Sequence, residues 1–251
     1  MHDPSRPKVQ QTKRRRRRGA KQLKLPRTGG WGGKRRGAGR RRRNAKARPN
    51  VPHRKRPPHK GRHPVHVTLR ARARLPSFRQ QRIQRMLAEV LRDQRRRRYE
   101  GTFRVLHYTI QRDHLHLVVE ADTERAEDYL PLRSGVSGLA IAFARRLNMM
   151  LKLRGKVWAD RYHRSDLKNP TMTREAFKYV FDNYTHHGVK TYGEGVLDPF
   201  SSAWAFDGWA VPHFVPIESE RWLWCVCRPR TWLASRGYLR GGGRLPIEQR
   251  H

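Results

Sequence analysis

The chain has 251 residues, with 58 Lys and Arg against 20 Asp and Glu, a formal net charge of +38 at pH 7. At 36% hydrophobic and 9% aromatic residues it holds enough apolar material for one modest core, so one domain with tails is expected and a second full domain is not. No apolar run approaches the ~20 residues of a bilayer span, and the Arg-rich start lacks the apolar segment of a secretory leader, so a cytoplasmic, nucleoid-associated protein is expected. Cys225 and Cys227 form a lone C-x-C, short of both a zinc site and a disulfide framework, and read as reduced thiols.

Residues 1–60 carry 24 Lys and Arg and one acid, Asp3, a net of +23. Runs at Arg14 to Arg18 and Arg40 to Arg43, broken by Gly and Pro pairs, repel one another and offer little to bury. A disordered basic tail is therefore expected over 1–61. Such an arm binds nucleic acid by counterion release, without reading sequence; a solubility or localisation tail is the plainer alternative.

The folded part is expected from residue 62. Val65, Val67 and Leu69 alternate with His66, Thr68 and Arg70, the period of a half-buried strand. Pro76 and Ser77 suggest a helix cap, and Ile83, Met86, Leu87, Val90 and Leu91 form an apolar stripe behind it. Two β-like runs, 103–110 and 114–121, are separated by only Gln111, Arg112 and Asp113, which predicts an antiparallel hairpin. A second amphipathic helix is predicted from Ser137 to Leu153, stopped by Gly155, and a fourth strand over 157–163. A third helix is predicted from an N-cap at Thr173 to His187, with Gly188 as its stop. The order strand, helix, strand, strand, helix, strand, helix predicts an α+β fold: a ferredoxin-like antiparallel sheet (βαββαβ) with one appended helix. Residues 62–190 are the expected catalytic domain, and 191–251 an aromatic and basic C-terminal extension.

The chemistry concentrates in two segments. In DHLHLVVE, His114 and His116 are two apart on a strand and project to one side, while Leu115, Leu117 and Val119 project to the other. Two imidazoles need a third donor to make a metal site, and His-x-His on a strand is often no more than a polar face. In KYVFDN, Tyr179 and Asn183 are four apart and share a helix face. Asn183 offers a carbonyl oxygen and Tyr179 a nucleophile, a mixed nitrogen and oxygen set that suits Mg²⁺ or Mn²⁺ better than closed tetrahedral zinc. The alternative is that Tyr179 packs on the sheet and Asn183 prepares the helix end; spacing alone leaves both open.

DHLHLVVE, GKVWADRYH, KYVFDN followed by HHG, and DPFSSAWAFDGW, in that order, resemble the single-tyrosine HUH transposases, and within them the REP-associated tyrosine transposases of bacteria. The resemblance covers about residues 62–210. It implies an enzyme that cleaves and rejoins hairpin-bearing single-stranded DNA through a 5′-phosphotyrosine, without ATP, acting as a monomer or homodimer. It further implies that His114 and His116 are metal ligands with Asn183 as the third, and that Tyr179 is the nucleophile. The family more often has Pro after this Asn, whereas here Tyr184 follows. Tyr184 is a second candidate nucleophile, though it lies roughly 140° around the helix from Tyr179.

Arg145, Arg146, Lys152, Arg154, Arg161, Arg164 and Lys168 are candidate contacts to the DNA backbone. Trp204, Phe206, Trp209, Trp222, Trp224 and Trp232 offer rings for base stacking, with packing against the domain as the simpler role. A non-catalytic nucleic-acid-binding descendant is the second reading. A replication initiator or relaxase ranks third, because no phosphate loop for an attached helicase occurs in the sequence.

Overall fold

In a computed structural model of the chain, residues 51, 55–96, 102–124, 130–186, 197–213 and 225–247 are described, except the side chains of 184–186. The basic tail over 1–50, the Gly188 stop, and Trp222 and Trp224 lie outside them. The described residues all fall in one unit that begins at Pro49. Strands β1 (Val65–Arg70), β2 (Phe103–Ile110), β3 (His114–Ala121) and β4 (His163–Asp166) form one antiparallel sheet in the order β2-β3-β1-β4. Helices α1 (Gln81–Arg96), α2 (Pro131–Met150) and α3 (Pro170–His186) complete an α+β architecture. No helix among the described residues is long and apolar enough to cross a membrane.

Strand alternation divides the sheet into two faces. Val65, Val67, Leu69, Leu115, Leu117 and Val119 are at most 2% exposed and pack in one cluster with Ile83, Leu87 and Leu91 of α1 and Leu139, Phe143 and Leu147 of α2. On α2 a Cβ at Gly135 would fall about 2.1 Å from the Phe103 ring, so the missing side chain is what lets this helix lie close on β2. The opposite face carries His66, Thr68, His114, His116, Val118 and Glu120, and α3 lies on it, with Phe177, Val180 and Phe181 packed against Leu106 and Val118. A β-bulge between Val105 and His107 turns both Leu106 and His107 toward α3. The two cysteines, neither in a disulfide, sit beside this frame, and burial pushes the Cys225 thiol up to about 12, which keeps it inert.

Four local expectations are corrected. The fourth strand is His163–Asp166, not 157–163; Trp158 makes only an isolated bridge to Ala71 and gives its indole N–H to the Ala140 carbonyl at 2.9 Å. This edge strand has no apolar alternation, because Arg164 and Asp166 pair with each other on one face while His163 and Ser165 occupy the other. Helix α2 starts six residues before Ser137, at Pro131, and ends at Met150, ahead of Gly155; Pro at the first position is pre-set for a helix and needs no N–H partner. Ser77 caps a turn rather than a helix: its Oγ accepts from Arg79 N at 3.2 Å, and α1 begins at Gln81. Asn169, not Thr173, caps α3, its Oδ1 accepting from Met172 N at 2.8 Å, while Thr173 is buried in the first turn.

The C-terminal segment packs onto the α3 side. Trp204, Phe206 and Trp209 are about 3–5% exposed, and Phe206 meets both Phe177 and Phe181. Asp198, fully buried, takes a two-pronged pair from Arg79 at 2.8 and 3.0 Å, tying this segment to the loop before α1.

Candidate active site

Strand register brings the polar side chains together before any ligand is considered. His66 and Thr68 on β1 project to the same face as His114 and His116, with Thr68 directly opposite His116. His163 of β4 stands opposite Thr68 on the other side. The His114 and His116 rings are 4.7 Å apart between centroids and nearly perpendicular, at 88°.

Each imidazole is oriented through its Nδ1. His114 Nδ1 lies 2.7 Å from Asp113 Oδ1. Burial alone would raise the Asp113 pKa, but the His114 hydrogen bond and the charges of His114 and Arg70 outweigh it and hold the carboxyl below its usual value. His116, 3% exposed, has Nδ1 at 3.0 Å from His66 Nε2 and 3.1 Å from Thr68 Oγ1. Burial, assisted by the charge of His163, pushes His66 down to about 4, so it is neutral at pH 7. Anchoring of this kind at one ring nitrogen makes the other, Nε2, the atom that would meet a cation. His66 and Thr68 were legible only as the polar side of β1; their role depends on which strand β1 pairs with, and that is not a local signal.

Helix α3 supplies the phenol. Tyr179 is 43% exposed, on the rim of the buried stripe formed by Ala176, Phe177, Val180 and Phe181. Its ring centroid is 5.1 Å from that of His116 and 5.6 Å from that of His66, edge-on to both. The structure thus brings Tyr179 and the two histidines to one end of one sheet face. Asn183, one turn later, is fully buried, and neither its Oδ1 nor its Nδ2 has a hydrogen-bond partner among the described residues. A buried amide with neither end satisfied costs about 1–3 kcal/mol per group and calls for a ligand or water. Tyr184 belongs to α3, but its side chain lies outside the described residues.

Among the described residues no three His, Cys, Asp or Glu side chains gather as a metal cluster. A cation held by the two anchored imidazoles would therefore need a donor of another kind, and the buried Asn183 amide, unsatisfied among the described residues, offers an oxygen of suitable chemistry.

The seven basic candidates divide. Arg145 is exposed on α2, which covers the other face of the sheet from the histidines, and Arg146 on the same helix pairs with Glu89 at 3.3 Å and with Asp93. Arg164, its side chain only 8% exposed, forks onto Asp166 at 2.7 and 2.9 Å and also reaches the Pro57 carbonyl. The structure does not bring these three to the histidines. Lys152, Arg154, Arg161 and Lys168 are exposed, the last just before α3.

No protein-family model and no curated protein matches this chain. Among solved structures it is similar to a REP-associated tyrosine transposase bound to a REP hairpin, at 20% identity over 61% of this chain and 83% of that one, with a TM-score of 0.46. It is also similar to a candidate transposase from Deinococcus radiodurans R1, at 16% identity over 51% of this chain and 92% of that one, with a TM-score of 0.34. At this level of similarity, the functional reading rests on the chain's own residues.

Proposed function

We propose that this protein is a transposase-like DNA strand transferase of the single-tyrosine HUH type, acting on hairpin-bearing single-stranded DNA. The observation that carries the reading is the Tyr179 ring lying 5.1 Å from His116, on the sheet face that also presents His114. The strand order β2-β3-β1-β4 with elements βαββαβ supports a ferredoxin-like plan to which α3 is appended.

In this reading His114, His116 and Asn183 hold Mg²⁺ or Mn²⁺, which when bound would polarise the scissile phosphodiester and make a phenol of pKa ~10 competent as nucleophile. Tyr179 Oη forms the new bond to phosphorus, the bond from phosphorus to the 3′ oxygen breaks, and the phenolic proton ends on the departing 3′-OH. The 5′-phosphotyrosine retains the bond energy, and a second 3′-OH reverses the step to rejoin strands. Asp113, His66 and Thr68 act by fixing the tautomer and tilt of the two imidazoles.

The test is a labelled hairpin-containing single strand incubated with the protein and Mn²⁺, then denatured. A covalent adduct is expected from the wild type and none from Tyr179→Phe; an adduct from that variant, or none from the wild type across a panel of hairpins, would overturn the assignment. The second reading, a non-catalytic nucleic-acid binder, draws on the absence, among the described residues, of three His, Cys, Asp or Glu side chains arranged to hold a metal ion, and predicts binding without an adduct.

A further inference from the structure

A second feature lies on the same sheet face, at the far end of β3. Glu120 is six residues beyond His114, about 20 Å along an extended strand, and it is fully buried. Its carboxylate accepts from Arg104 Nε at 3.2 Å, from the backbone N–H groups of Arg230 and Thr231 at 2.9 Å each, and from Thr231 Oγ1 at 2.8 Å. A buried carboxylate satisfied in this way fixes the backbone of the C-terminal segment against the sheet. Arg230 and Trp232 then project from a pinned base.

The result is a cleft of about 750 Å³ between that segment, the start of α3 and the loop before β1. Arg62, Lys168 and Arg230 line it, all exposed, and neither Lys168 nor Arg230 makes an ion pair among the described residues. The acid in its wall is Asp122, which lies 4.0 Å from Arg104. Trp232 is 50% exposed, yet its ring is held in place: a Cβ at Gly237 would fall 2.7 Å from the indole, and Arg240 lies over the ring at 5.4 Å. A flat, exposed ring packed against its own segment and set beside three cations matches a strand with a charged backbone and unstacked bases better than it matches an acidic peptide, which has nothing to stack. Tyr179 is nine residues along α3 from Pro170, which also lines the cleft, about 13–14 Å at the helical rise.

We infer that this cleft is a binding site for single-stranded nucleic acid, with a base stacked on Trp232 and the backbone phosphates on Arg62, Lys168 and Arg230. It rests on the nucleic-acid part of the reading above and not on cleavage. The site leads a strand along α3 toward the phenol, and it uses residues outside every motif that carries the chemistry.

The experiment is fluorescence anisotropy of a labelled oligothymidylate with the full chain, without divalent ions, over a series of salt concentrations. The basic tail contributes a steep salt dependence to every variant, whereas stacking does not, so the two separate. Trp232→Ala is expected to weaken binding about tenfold at each salt concentration with an unchanged slope, and Trp232→Phe to recover most of the loss. Arg230→Gln and Lys168→Gln are each expected to reduce the salt slope by about 0.7, the single-strand increment per phosphate contact. Unchanged affinity in Trp232→Ala, a Phe variant as weak as the Ala variant, or an equal loss on duplex DNA or polyglutamate would overturn the assignment. A wild type that binds through the cleft but forms no adduct would defeat strand transfer and leave the cleft standing.

Discussion

The same strands build two unlike faces. On one, Val65, Val67, Leu69, Leu115, Leu117 and Val119 are sealed under α1 and α2 with nothing to satisfy but volume. On the other, His66, Thr68, His114, His116 and Glu120 lie under or beside α3; His114 bonds its neighbour Asp113, and the other four are set by hydrogen bonds to residues distant in the chain or across the sheet. The first face is therefore governed by cavity and contact energies, while the second is governed by geometry. Apolar packing tolerates small shifts at a modest cost, whereas a buried imidazole or carboxylate loses its partner outright. Stability and chemistry are in this way assigned to opposite sides of a single sheet.

The contrast is broken most severely, on the packing side, by Phe143→Ala. Phe143 is fully buried against Phe78 and Trp158, and its truncation is expected to cost about 3–5 kcal/mol in urea unfolding. A cost under about 1 kcal/mol would mean that the α2 side is not the main source of stability. An intermediate effect is expected at His107, on the α3 side. It is enclosed by Phe177, Phe181 and Phe206, and burial pushes its pKa down to about 3 from the ordinary 6.5. Below pH 6.5 the unfolded chain takes up a proton that the folded one refuses, so this contribution is complete above about 6.5 and is lost as pH falls toward 3. The slope is on the order of 1.4 kcal/mol per pH unit, and His66, lowered to about 4, adds a similar one over a shorter range. His107→Leu is expected to flatten the acid limb of a plot of unfolding free energy against pH; an unchanged limb would contradict the buried neutral imidazole. The smallest effect belongs to Tyr179→Phe, which removes one hydroxyl from a side chain 43% exposed and is expected to leave stability within about 0.5 kcal/mol. A larger loss would mark Tyr179 as a packing residue.

What could be read in the sequence follows from how local each signal is. Strands β1, β2 and β3 and the stripes of α1 and α3 carry their period in consecutive residues, and both candidate segments, DHLHLVVE and KYVFDN, sit on such elements. Strand β4 does not: an edge strand of His, Arg, Ser and Asp is defined by pairing with β1, and its Arg and Asp satisfy each other instead of filling a core. The same holds for His66, one polar residue in an alternating strand until register puts it 3.0 Å from His116. Arg146 and Arg164 belong to this class as well. A run of basic residues reads as a surface for phosphate, and only the fold reveals that Asp93 and Asp166 have engaged them. Glu120 and Trp232 are 112 residues apart, so their cooperation in one cleft wall has no sequence signature.

The most direct test of the central claim, that the phenol of α3 meets the two strand imidazoles to act on a phosphodiester, is peptide mapping of the covalent adduct. The protein is trapped with a labelled hairpin strand and Mn²⁺ and digested, and the nucleotide-bearing peptide is sequenced by mass spectrometry. The nucleotide is expected on Tyr179, and to disappear when His116 is replaced by Ala. A nucleotide on Tyr184, or an adduct undiminished by His116→Ala, would contradict the account.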